Sequence, residues 1–286
     1  MKKYIFISDL FLDQYRGGAE LTTDALMRPT NQTPLVIPIP CSKVTKEFIE
    51  SAIEDNCHFI VCNFSSLADK IKLFMCKNTS YSIVEYDYKI CDHRSFELHE
   101  LIEGSPCDCE TRISGKINTA FYAYAEKIWF MSDAQKNLFL SKISVLKEEK
   151  CEVLNSVFHP GDLKFMYSIK DNEKDNKYLI LGSQSWIKGT EECIQYAKDN
   201  GMEYEIVTGL PYHELLIKMS TSKGLIFRPL GNDTCPRIVM EAKMLGCDLI
   251  LNDHVQHKDE VWFKTQESCY EHMNSRSDTF WSQHGQ

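Results

Sequence analysis

Two carboxylates, Asp233 and Glu241, stand with seven residues between them in the segment Gly231-Asn-Asp-Thr-Cys-Pro-Arg-Ile-Val-Met-Glu-Ala-Lys-Met-Leu-Gly246. Thr234 can cap a helix, Pro236 suits its first turn and Gly246 its C-terminal end. A helix that opens there directs free amide N–H groups and the positive end of its dipole at the preceding loop, an arrangement that holds an anion. Asp233 lies in that loop. Glu241 lies about two turns in, beside Ile238, Val239, Ala242 and Leu245, where a carboxylate is costly without a partner. The pattern predicts a ligand site; the plainer alternative is a salt-bridged glutamate on the polar side of the helix.

Two glycine loops have related chemistry. In Arg16-Gly17-Gly18-Ala-Glu20 the glycines allow a tight turn and close approach to a phosphate at the start of the next helix, or simply form a turn. In Gly182-Ser-Gln-Ser-Trp-Ile-Lys188-Gly189 the lysine is a point charge able to reach a diphosphate, or an exposed lysine before a turn. Glu85-Tyr86-Asp87 has the acid-x-acid form of a metal-binding pair. Cys91, His93, His99, Cys107 and Cys109 gather three thiols and two imidazoles in nineteen residues. Zinc needs four such ligands, but the Cys-x-Cys spacing is not the usual Cys-x-x-Cys. No metal is therefore assigned, and the segment is read as a reduced loop. His93, Arg94 and Arg112 in it are candidates for contacting a second substrate.

These residues need a scaffold that presents loops at one edge. Apolar runs of strand length (Lys3–Ser8, Leu35–Pro40, His58–Cys62, Ser82–Glu85, Ile128–Met131, Tyr178–Gly182, Glu203–Val207, Gly224–Phe227, Asp248–Asn252) alternate with segments of helical period. A helix is expected from Ser132, its cap, to about Leu146. The alternation predicts an α/β fold of two doubly wound, Rossmann-like domains facing across a cleft, with ligands at the carboxyl ends of parallel strands. The expected divisions are 1–155, 156–270 and a tail, 271–286, packing back toward the first domain through Phe280 and Trp281. Lys170–Lys177 has no hydrophobe and reads as the boundary or as a surface loop just inside it.

Asp233 and Glu241, followed by Ala-Lys-Met-Leu-Gly and a strand, resemble the signature of the retaining glycosyltransferases of family four, which have the two-domain GT-B fold. The Gly-Gly-Ala-Glu loop, the Lys188-Gly189 pair and the acidic pair match that family in order from residue 17 to residue 241. The resemblance implies a sugar transferred from a nucleotide-sugar donor, UDP- or GDP-linked, to an acceptor hydroxyl with retention, with no cofactor required. It implies that Glu241 holds the donor ribose, Asp233 the donor sugar and Lys188 the diphosphate. Gly17 and Gly18 would admit the phosphate, and main-chain groups of Thr234, Cys235, Pro236 and Arg237 would meet sugar or phosphate. Three departures stand out. No arginine precedes Lys188, so Arg237 or Arg16 is the expected supplement. Tyr86 stands where the family often has histidine, and Asp233 replaces the usual glutamate. The first domain becomes the acceptor side, with Arg16, Tyr86, Asp87, His93 and Arg94 as candidates.

The chain has 286 residues, 32 Lys+Arg against 41 Asp+Glu, a formal charge of −9 and 43% hydrophobic residues. This suits two folded domains and argues against a broad basic surface for nucleic acid. No apolar run approaches the ~18 residues of a membrane span. The 12 scattered cysteines read as reduced thiols of a cytoplasmic protein. Possible acceptors are a saccharide, a protein or a modified DNA base. Rival readings are a non-catalytic nucleotide-sugar-binding protein and a nucleotide-sugar epimerase of the same architecture.

Overall fold

A computed structural model describes residues 2–31 and 33–284; the outermost positions of the expected terminal segments, 1 and 285–286, lie outside them. The chain divides into two compact units, residues 1–157 with 276–286, and residues 158–275. The first contains β1 (Lys3–Ser8), α1 (Gly18–Met27), β2 (Leu35–Pro40), α2 (Lys46–Glu54), β3 (Cys57–Val61), α3 (Asp69–Asn78), β4 (Tyr81–Glu85), α4 (Phe96–Glu103), α5 (Ile113–Tyr124), β5 (Lys127–Phe130), α6 (Asp133–Lys142) and β6 (Cys151–Val153). The second contains α7 (Pro160–Ile169), β7 (Tyr178–Leu181), α8 (Thr190–Asp199), β8 (Tyr204–Val207), α9 (Tyr212–Ser220), β9 (Gly224–Phe227), α10 (Arg237–Met244) and β10 (Asp248–Leu251). The last helix, α11 (Gln266–Ser282), begins in the second unit's share of the chain and ends in the first unit's.

Both sheets are parallel. The first has the order β2-β1-β3-β4-β5-β6 and the second β10-β9-β7-β8. Parallel sheets are covered on both faces, so their strands read as nearly continuous apolar runs. In β1, Ile5 and Ile7 join one buried cluster with Ile49, Phe59, Phe64 and Phe121. Tyr4 and Phe6 alternate onto the other face, where the Trp281 ring lies 4.9 Å from Tyr4 and its indole N–H donates to Leu26 O at 2.9 Å. Phe280 packs 5.3 Å from Trp129 in the same unit.

The strand order reverses between β1 and β3 in one sheet and between β7 and β9 in the other. Crevices at such switch points are where open α/β sheets bind ligands. The loop 170–177 belongs to the second unit, anchored by Lys174. Its Nζ donates to Ser220 O, Ser222 O and Leu245 O at 3.1, 3.3 and 3.0 Å. The cation thus meets the carbonyl ends of α9 and α10, where the helix dipoles favour it. α6 ends at Lys142, short of the expected Leu146, although Ser132 caps it by accepting from Gln135 N as expected. Among the described residues, no helix is long and apolar enough to cross a membrane.

Candidate functional site

In the second unit, the loops after β7 and β9 flank the switch point and carry Lys188 and Asp233. Gly189 brings them together. Its φ is +61°, and a Cβ there would lie 2.2 Å from Arg228 O, so only glycine allows this approach of the two backbones. Leu230 N donates to Ile187 O at 3.0 Å across the same junction. Lys188 Nζ then reaches Asp233 Oδ2 at 2.6 Å. The Asp233 main chain is clamped from the far side, its N–H donating to His254 O and its carbonyl accepting from Gln256 N. The loop after β10 therefore supports Asp233.

α10 starts at Arg237, with Pro236 in the cap position and no side-chain cap bond. Pro236 rather than Thr234 therefore occupies the cap position, with Thr234 two residues before it. Arg237 is 5% exposed and Glu241 2%. The Arg237 guanidinium lies 3.8 Å over the Phe158 ring, 3.3 Å from the Tyr212 hydroxyl and 3.5 Å from Glu241 Oε1. It thus faces the unit's interior, in contrast to the expectation of a charge presented to a diphosphate. The Tyr212 hydroxyl donates to Glu241 Oε1 at 2.8 Å. Burial raises the Glu241 pKa above the usual carboxylate value, against the opposing pull of Arg237 and of the Tyr212 hydrogen bond. Glu241 is neither a surface glutamate nor unpartnered. Sequence reasoning missed Tyr212, which lies 29 positions away in the chain.

In the first unit, Gly17 caps α1 and Gly18 is its first residue. Glu20, in the first turn and 6% exposed, folds its carboxylate back toward Gly17. Burial raises its pKa, with the nearby main-chain amides of Glu20 and Gly17 opposing. The signal was legible: a glutamate three residues after a cap reaches back to the cap N–H. A Cβ at Gly17 would lie 2.5 Å from Glu20 Oε2, so glycine is what lets that carboxylate fold back. Beside the loop, Arg16 lines a cavity of about 590 Å³ with Phe11, Gln14, Met27, Pro38 and Lys43.

At the carboxyl end of β4, Glu85 and Asp87 do not form an open metal pair. Lys89 Nζ lies 2.8 Å from Glu85 and 3.0 Å from Asp87, and Arg94 Nε lies 2.7 Å from Asp87. Side-chain cations stand where a metal would stand. Burial raises the Glu85 pKa against the pull of Lys89, whereas Asp87 is lowered because Lys89 and Arg94 outweigh its burial. The Tyr86 hydroxyl is 2.7 Å from Thr23 Oγ1, and His93 Nε2 is 3.0 Å from Glu103. The expected acceptor residues therefore divide among four settings: Arg16 at the cavity, Tyr86 against Thr23, Asp87 and Arg94 in an ionic network with Lys89, and His93 with Glu103. Another group does converge. Cys91, His99, Cys107 and Cys109 place their ligand atoms within 4.8 Å of one another, where sequence reasoning assigned no metal.

No protein-family model and no curated protein sequence matches the chain. Solved structures do match its fold. HepE of Anabaena, crystallised with UDP and glucose, is 10% identical over 98% of this chain and 91% of its own, with a TM-score of 0.57. A UDP-forming α,α-trehalose-phosphate synthase from Burkholderia xenovorans is 9% identical over 99% and 98%, with a TM-score of 0.56. The catalytic domain of starch synthase IV from Arabidopsis thaliana, bound to ADP and acarbose, is 9% identical over 98% of each chain, with a TM-score of 0.55. At such identity the likeness shows the fold, two Rossmann-like α/β domains in the GT-B architecture.

Proposed function

We propose that the protein is a glycosyltransferase that moves a hexosyl or pentosyl group from a nucleotide sugar to an acceptor hydroxyl with retention of configuration, as in family four. The observation that carries this reading is the Lys188–Asp233 pair at the β7/β9 switch point, followed in the chain by α10 with its buried Glu241. A cation poised against an aspartate suits a donor that brings both a diphosphate and a sugar. On donor binding, Lys188 leaves Asp233 for the diphosphate, and Asp233 turns to the sugar hydroxyls. Glu241, with one oxygen held by Tyr212, offers the other to the ribose. As the glycosyl bond breaks, negative charge grows on the leaving β-phosphate. Lys188 and the α10 amides are the groups to stabilise it, in a setting where fixed donors count for more than in water.

In this reading the second unit binds the donor, and UDP- or GDP-sugars are its proposed ligands. HepE and starch synthase IV, whose fold the chain shares, were crystallised with UDP and ADP respectively. The acceptor side is assigned to the first unit, where the cavity at Arg16 and Lys43 is large enough for a sugar-sized polar group. No metal or cofactor takes part, because Lys188 fills the role of a divalent ion. All twelve cysteines are free thiols, which supports a cytoplasmic location.

The test is nucleotide release from a panel of UDP- and GDP-sugars with saccharide, protein and modified-DNA acceptors. Lys188→Ala and Asp233→Asn should each abolish release while the circular dichroism stays unchanged. Full activity in both would overturn the reading. Interconversion of the free nucleotide sugar without an acceptor would identify an epimerase instead.

A further inference from the structure

We propose that Cys91, His99, Cys107 and Cys109 form a structural zinc site in the first unit. The four residues come from three places: the loop after β4, the middle of α4, and the segment between α4 and α5. They gather because α4 is fixed at both ends. Ser95 caps it by accepting from Leu98 N, and Gly104 closes it in the left-handed conformation. His99 then falls on the buried side of α4, and its Nδ1 lies 3.8 Å from Cys91 Sγ and 3.5 Å from Cys109 Sγ.

Those distances are the ones zinc imposes. With Zn–S about 2.3 Å and Zn–N about 2.05 Å in a tetrahedron, sulfur and nitrogen ligands sit about 3.6 Å apart and two sulfurs about 3.8 Å apart. All four ligand atoms lie within 4.8 Å of one another. The surroundings fit as well. Cys91, His99 and Cys109 are 2%, 0% and 0% exposed, so the site is closed, as structural zinc sites are. The far nitrogen of His99, Nε2, is buried without a hydrogen bond and lies 3.6 Å from Glu103 Oε2. Arg112 holds that carboxylate at 2.5 Å. This is the carboxylate–histidine–metal arrangement, in which the outer carboxylate fixes the ring and its tautomer. Asp92 N donates to Cys109 Sγ at 3.4 Å and supports a thiolate there.

His93, His99 and Glu103 also approach one another, but Glu103 is engaged by Arg112 and would share His99 with the thiols. The thiol set is the complete one. A zinc ion there ties the loop that carries Arg94 to α4 and to the start of α5. The Cys91 and Cys109 thiols face Ser95 O and the Asp92 carboxylate at 3.4 and 3.6 Å; zinc binding would release the thiol protons to solvent.

The experiment is metal analysis of the full chain purified under reducing conditions, followed by titration of the chelated, reduced protein with Zn²⁺ against a chromophoric chelator and with Co²⁺. The expected result is one zinc per chain and a Co²⁺ complex with tetrahedral d–d bands and a thiolate-to-metal charge-transfer band. Cys107→Ser, at the half-buried ligand, should abolish stoichiometric binding, while Cys57→Ser, away from the cluster, keeps it. Glu103→Gln should weaken zinc about 10–100-fold. If the serine variant does not fold, the titration of the unaltered chain decides. Absence of binding in the reduced chain, a disulfide among the three cysteines after purification under reducing conditions, or unchanged binding in Cys107→Ser would overturn the proposal.

Discussion

Replacing Glu241 separates its structural part from its proposed role in binding. Glu241→Ala removes the carboxylate beside a guanidinium that is 5% exposed. Breaking a buried pair from one side costs about 3–5 kcal/mol, because the remaining charge stays buried. The Tyr212 hydroxyl also loses an ionised acceptor at 2.8 Å, a bond of a kind that contributes about 1.5–3 kcal/mol. These losses overlap, since Tyr212 also contacts Arg237 at 3.3 Å and can turn to it. The Phe158 face, 3.8 Å from the guanidinium, retains about 1–2 kcal/mol for the cation. The net expectation is about 3 kcal/mol, a large share of a typical stability of about 5–15 kcal/mol. A Glu241→Leu, Arg237→Met double variant removes both charges and should lie within about 1.5 kcal/mol of the parent. It should still lack sugar transfer. Urea denaturation followed by tryptophan fluorescence reads this out, since Trp186 and Trp262 lie in the second unit and Trp129 and Trp281 in the first. A single variant costing under about 1 kcal/mol would refute the energetic reasoning. A double variant that transfers sugar would refute the role given to Glu241.

His257 and His284 are 0% and 7% exposed, and burial pushes both pKa values down to about 3. The unfolded chain therefore binds more protons than the folded one between pH 6.5 and about 3. Stability that is complete above pH 6.5 falls through that window by about 1.4 kcal/mol per pH unit from each histidine. His257→Phe should reduce the slope of the acid limb by that amount in denaturation measured from pH 7 to 4, and an unchanged slope would contradict a neutral buried imidazole. Gly189→Ala forces a Cβ to 2.2 Å from Arg228 O at a φ of +61°. It should cost about 1–3 kcal/mol through local strain and separate Lys188 from Asp233. A variant with parental stability and donor affinity would show that the two loops adjust freely. Mg²⁺ or Mn²⁺ added to dialysed protein should leave the transfer rate unchanged; stimulation by either ion would restore the metal-pair reading of Glu85 and Asp87.

Much of this fold is legible because buried parallel strands are apolar runs. Lys3–Ser8, Leu35–Pro40 and Gly224–Phe227 are strands over the spans the residue pattern gives. The helices between β4 and β5 are not. In α4 the fully buried side chain is His99, a polar residue that breaks the apolar stripe, while Leu101 and Ile102 are exposed. In α5, Gly115 and Asn118 interrupt the period. β6, with three residues, is too short to show alternation. At the site, local spacing reveals Asp233, Glu241 and the lysine loop. It also contains the Arg237–Glu241 pair, one helical turn apart, although the reading there gave Arg237 to the ligand. What local spacing cannot supply is distance across the fold. Tyr212 meets Glu241 only because α9 packs beside α10, and His99, rather than His93, faces the thiols only once α4 has formed.

The central claim is that the second unit binds a nucleotide sugar through Lys188, Asp233 and Glu241. Isothermal titration of the intact chain with UDP- and GDP-sugars, repeated with Lys188→Ala, tests it most directly. Saturable binding of at least one nucleotide sugar, weakened at least about tenfold by the loss of the lysine charge (about 1.4 kcal/mol), is the predicted result. Equal affinity in the two proteins, or no binding of any member of the panel, would contradict the account.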